Sequence, residues 1–250
     1  MIEQHIDVVT KDGTVDAELA RPDSTDRLPG VIVLTDIHGL RPAMTDFSKR
    51  IAEHGYLVLT PNIFYRTSKS PVFDFEADFR NERTQARFKE LVGPLTPDAM
   101  ARDASAYVDF LSAQPNVSRG PMGVVGFCFS GAFALRTAAA RPDRIGAAAS
   151  FHGARLFMDT PDSPHLVLPR VKARLYFGHA ENDQSMRAEL IEKLDRALDE
   201  WGGSYESEVY EGAKHGWMFP GKVYHPEQAD RGFENLMELF DDALRSPVNA

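Results

Sequence analysis

Apolar runs and helical stripes alternate along most of this chain. Gly30–Thr35 (Gly-Val-Ile-Val-Leu-Thr), Tyr56–Thr60, Ile145–Phe151 and Ala173–Phe177 are short and apolar or small, the pattern of strands buried on both faces. His5–Val9 and Thr14–Ala20 flank Lys11-Asp12-Gly13 and predict a hairpin. Helical spacing recurs over Ala43–His54, with Met44, Phe47, Ile51 and Ala52 on one face and Gly55 as the stop. It recurs over Asp98–Gln114, Ala132–Ala140, Ser185–Trp201 (capped by Ser185, stopped at Gly202-Gly203) and Pro226–Arg245. Pro61–Val92 is less regular, with a helix predicted over Phe75–Leu91, and Tyr205–Tyr210 alternates like an outer strand before a loop over Glu211–Val223. Strands alternating with helices predict one α/β domain over residues 1–250, a mostly parallel sheet with helices on both faces.

Between the strand ending at Val124-Val125 and the helix from Ala132 lies Gly126-Phe127-Cys128-Phe129-Ser130-Gly131. A strand that turns this tightly into a helix strains its central residue and needs small neighbours, as in the Gly-x-Ser-x-Gly elbow. Here Cys128 holds the nucleophile position. The helix that follows aims its free N–H groups and positive dipole end at the sulfur, which favours thiolate.

Reactive groups also follow other strands, and sites in such sheets lie at the carboxyl ends of strands. They are Asp36–His38, His152, and Glu181 or Asp183 in Gly178-His179-Ala180-Glu181-Asn182-Asp183, with His215 in the loop after the last strand. A thiol needs a base to take its proton, and the base needs an acid to orient it. Cys128, then an acid, then His215 is the chain order of the α/β-hydrolase fold. Asp183 is preferred to Glu181 because a short carboxylate suits the loop before a helix, where it could equally cap Ser185–Trp201. His5, His54, His165, His179 and His225 read as structural or solvated.

Composition narrows the partners. A net charge of −9 over 250 residues disfavours nucleic acid and anionic membranes. One cysteine excludes an internal disulfide and a multi-thiolate zinc site. Neither an apolar leader nor an apolar run long enough to span a bilayer is visible, so the expected setting is the cytoplasm, as a monomer or small homo-oligomer.

The three motifs together, the elbow, the Gly178–Asp183 segment and Ala213-Lys214-His215-Gly216, resemble the dienelactone hydrolase family, a cysteine branch of the α/β-hydrolases, over essentially the whole chain. The resemblance implies a triad of Cys128, Asp183 and His215, no metal or organic cofactor, and hydrolysis of a small ester or lactone through a thioester. It also implies that Asp36 stands where the family carries an acid, typically Glu, that takes the resting thiol's proton, and that Ile37 and Phe129 supply the oxyanion-hole N–H groups. The arginine that the family places after the catalytic His is absent, since Gly216-Trp217-Met218-Phe219 follows His215. Arg80, Arg83 and Arg87 read first as a solvated stripe tied to Glu76, with Arg83 the candidate if one of them makes the remaining carboxylate contact; His152 and Trp217 read as pocket walls or ordinary core. The same triad would also serve a thioesterase or acyltransferase, and a non-enzymatic thiol redox or binding relative would retain the same elbow.

Overall fold

The computed structural model describes residues 1–245, so the last five residues of the 1–250 domain reading lie outside the described residues. One sheet of eight strands runs β1 (Ile2–Thr10), β2 (Gly13–Arg21), β4 (Leu57–Pro61), β3 (Gly30–Leu34), β5 (Met122–Phe127), β6 (Ile145–Phe151), β7 (Arg174–Asn182), β8 (Tyr205–Lys214). Only β2 runs against its neighbours. This is the α/β-hydrolase fold.

The pleat explains the apolar runs. Ile32 and Leu34 of β3 and Val124 of β5 face one core with α3 (Pro97–Ser112), α4 (Ser130–Ala140) and α5 (Ala188–Trp201). Val31, Val33 and Val125 face the opposite core with α1 (Pro42–Glu53) and α6 (Pro226–Leu244). Central strands therefore bury both faces, and continuous apolar sequence is what that requires.

Several boundaries differ from expectation for local reasons. Helix α2 is Glu82–Val92, not Phe75–Leu91. The Asn81 side chain accepts the Thr84 N–H at 2.8 Å and caps it, while Asp78 Oδ1 accepts the Arg80 N–H and holds the preceding residues in a turn. Helix α5 begins at Ala188 rather than Ser185, because the Ser185 hydroxyl is bonded to Asp183. Strands β7 and β8 pair as far as Asn182 and Lys214, so the loop expected from Glu211 starts four residues later. That extension sets Asp183 and His215 side by side at the ends of adjacent strands.

Candidate active site

The elbow after β5 carries Cys128 at φ 58, a left-handed conformation that costs a side-chain-bearing residue energy. Two glycines make it possible. A Cβ on Gly126 would lie 2.1 Å from the Ser130 carbonyl oxygen, and one on Gly131 would lie 2.2 Å from Ser150 Oγ. Ser130 is more than small: its hydroxyl accepts the Phe127 N–H at 2.8 Å and reaches the Leu34 and Phe127 carbonyls at 3.1 and 2.9 Å. It ties the elbow to β3.

Cys128, His215 and Asp183 form one hydrogen-bonded line. His215 Nε2 lies 3.0 Å from Cys128 Sγ, and Nδ1 lies 2.6 Å from Asp183 Oδ2. The other oxygen of Asp183 accepts both the N–H (2.7 Å) and the hydroxyl (2.6 Å) of Ser185. Both oxygens of this buried carboxylate are thereby hydrogen-bonded. Burial alone raises the Asp183 carboxyl, but bonds from His215 and Ser185 outweigh it and hold the group below its usual value. Burial likewise lowers His215, yet bonds to Asp183 and then Cys128, with their charges, push it up to about 10. Glu181, the rival acid, is exposed and accepts the Gly212 N–H instead.

Cys128 and His215 open on a cavity of about 770 Å³. Its wall includes the apolar Ile37, Phe79, Phe88, Phe219 and Val223 and the polar or charged Asp36, His38, Arg41, Arg80, His152 and Lys222. Ile37 is a buried part of this wall, and the Phe129 ring lies tilted against Phe64 with centroids 5.5 Å apart. Among the described residues neither the Ile37 nor the Phe129 N–H donates to a main-chain acceptor outside helices and strands.

Three expectations need correction. Asp36 does not bond Cys128: its two oxygens take Arg41 Nη1 and Nη2 at 2.7 Å each, and Oδ1 also accepts the His38 N–H at 2.9 Å. A short carboxylate in the Asp36–Gly39 turn fits the guanidinium fork five residues on, so it braces the cavity wall. Arg83 does not line the cavity. Its side chain is 66% exposed, pairs with Asp74 and lies over the Phe75 ring, whereas Arg80, paired with Asp78, lies at the rim. Trp217 is wholly buried core, packed on Tyr210 with centroids 4.3 Å apart. Arg41 was missed by sequence reasoning. Its one signal is the position just before Pro42, where the chain turns from the Asp36 loop into α1.

The model of the dienelactone hydrolase family matches residues 15–244. The chain belongs to that family. A carboxymethylenebutenolidase of Rhodococcus opacus is 27% identical over 218 residues, 86% of this chain and 81% of the relative. A Synechocystis protein whose name proposes the same activity is 26% identical over 231 residues, 91% of each. A crystal structure from Klebsiella pneumoniae, whose name proposes a dienelactone hydrolase, superposes with a TM-score of 0.85 at 22% identity, covering 96% of this chain and 98% of that one. As a member of this family the chain is a hydrolase, and no helix among the described residues is long and apolar enough to cross a membrane.

Proposed function

We propose that the protein hydrolyses a small ester or lactone through a thioester on Cys128, with His215 and Asp183 completing a triad. The observation that carries this reading is the unbroken line from Cys128 Sγ through His215 to Asp183, opening on the cavity. A ring protonated through neutral pH puts a cation 3.0 Å from the sulfur, where it stabilises the thiolate that attacks. The thiolate adds to the ester carbonyl while the Ile37 and Phe129 N–H groups receive the oxyanion. Collapse expels the alcohol, which takes its proton from His215 and leaves the acyl group on sulfur. Neutral His215 then removes a proton from water as the water attacks the thioester. The acid leaves, and the proton gained by His215 restores the ion pair. Asp183 keeps the ring in the tautomer that presents Nε2 to the sulfur.

The apolar wall suits a neutral acyl group, with Lys222 a further cation on the lining. Arg41 is already held by both oxygens of Asp36 and Arg80 by Asp78, so neither guanidinium is free to serve as a dedicated carboxylate clamp. The test is pre-steady-state hydrolysis of p-nitrophenyl acetate. An initial burst of nitrophenol equal to the enzyme, lost in Cys128→Ala, is the expected result. Turnover retained by Cys128→Ala would overturn the reading.

A further inference from the structure

His152 sits at the end of β6, between the strand that delivers Cys128 and the one that delivers Asp183. Phe127 and Phe151 are partners in the β5–β6 ladder, so Cys128 and His152 leave the sheet together. The Cys128 N–H is shared between the Phe151 carbonyl at 3.2 Å and His152 Nδ1 at 3.1 Å. An Nδ1 that accepts fixes the neutral ring with its proton on Nε2. On its other side the ring meets His215, with centroids 5.2 Å apart and planes inclined at 64°.

This placement is costly for a histidine. Its backbone lies at φ 39, in the left-handed region, and its buried Nε2 has no partner among the described residues. A phenylalanine would fill much the same space without orphaning an N–H. The imidazole offers one thing a phenyl ring lacks, an acceptor for the nucleophile's main chain.

We propose that His152 is a positioning residue: Nδ1 holds the Cys128 backbone in its strained conformation while the ring restricts the plane of His215. The inference rests on the hydrolase reading above. Burial, then the positive charge of His215 beside it, drives the His152 ring well below its usual pKa, opposed by Asp183. It thus stays an acceptor and adds no second cation to the site. Arg41, whose charge also lowers it, is the further charged group acting on it.

The test compares three substitutions with the parent and with Cys128→Ala, reading kcat and KM on p-nitrophenyl acetate and the iodoacetamide alkylation rate of Cys128. His152→Asn places Oδ1 where Nδ1 stood, His152→Leu is nearly the same shape without an acceptor, and His152→Phe keeps a ring without one. Leu and Phe are expected to lower kcat and alkylation by about three- to tenfold with KM little changed, and Asn to recover most of the loss. Only variants whose thermal unfolding remains cooperative are compared, and the Asn–Leu pair suffices if Phe does not fold. Equal rates for Asn and Leu, no loss in either, or a loss confined to KM would overturn the proposal. Activity surviving in Cys128→Ala would instead overturn the hydrolase reading itself.

Discussion

Asp183→Asn separates the charge of this side chain from its shape. In the parent, Oδ1 accepts two donors from Ser185 and Oδ2 accepts the His215 Nδ1–H at 2.6 Å. An asparagine has only one acceptor oxygen. If that oxygen stays with the two Ser185 donors, the amide NH₂ faces His215, and when the ring is neutral, as the step with water requires, Nδ1 must accept. The ring proton moves to Nε2 and points at the sulfur, the wrong tautomer for a base. A buried charge-assisted bond contributes about 1.5–3 kcal/mol, so its loss lowers the His215 pKa by about one to two units. From about 10 in the parent, the value falls to about 8–9. The assay is iodoacetamide alkylation from pH 4 to 11, which reads one thiol because the chain has one cysteine. The parent ion pair is expected to react over a wide plateau, with a change as His215 loses its proton near pH 10. In Asp183→Asn that change moves down by one to two units and kcat on p-nitrophenyl acetate falls at least tenfold. The linked effect on folding has a definite sign. The folded-state value lies above 6.5, so this stabilisation is complete below pH 6.5 and is lost as pH rises through about 10. Superimposable pH profiles for parent and variant would refute the assigned role of Asp183.

Three further substitutions test the corrected site. Asp36→Asn breaks the fork with Arg41 and is expected to lower stability by about 1–3 kcal/mol by chemical denaturation. It should leave the alkylation pH profile of Cys128 in place; a profile shifted by a unit or more would mean that Asp36 handles the thiol proton after all. Gly126→Ala drives a methyl group to 2.1 Å from the Ser130 carbonyl oxygen and is expected to cost about 1–3 kcal/mol or more, with loss of esterase turnover. Full turnover at parental stability would show that the elbow is not tight. Arg83→Ala removes an exposed pair and a contact over the Phe75 ring, and is expected to leave KM unchanged and cost no more than about 1 kcal/mol of stability. A severalfold rise in KM would return Arg83 to the cavity.

The legible parts of this protein are those that a local pattern dictates. Strands β3 and β5 are apolar throughout because both faces are covered, and α1, α5 and α6 show one apolar stripe because one face is. Cys128 was legible because a tight turn between strand and helix imposes Gly126 and Gly131 around it. Asp183 and His215 were legible only as residues after strands; the pairing of β7 with β8 up to Lys214 is what brings them together. Side chains on irregular segments were not legible. Trp217 and Arg83 each had two possible environments, and the difference between core, cavity and solvent depends on turns that no periodicity encodes. The Asp36–Arg41 fork and the His152–Cys128 bond are contacts of loop geometry, invisible to spacing rules.

The central claim is that an acyl group passes through the sulfur of Cys128. Quenching the reaction with p-nitrophenyl acetate within the first turnover, followed by peptide mass spectrometry, tests it most directly. The account predicts one acetyl group on the peptide carrying Cys128, released by neutral hydroxylamine and absent from Cys128→Ala. Nitrophenol released at full rate with no acetyl group on that peptide would contradict it.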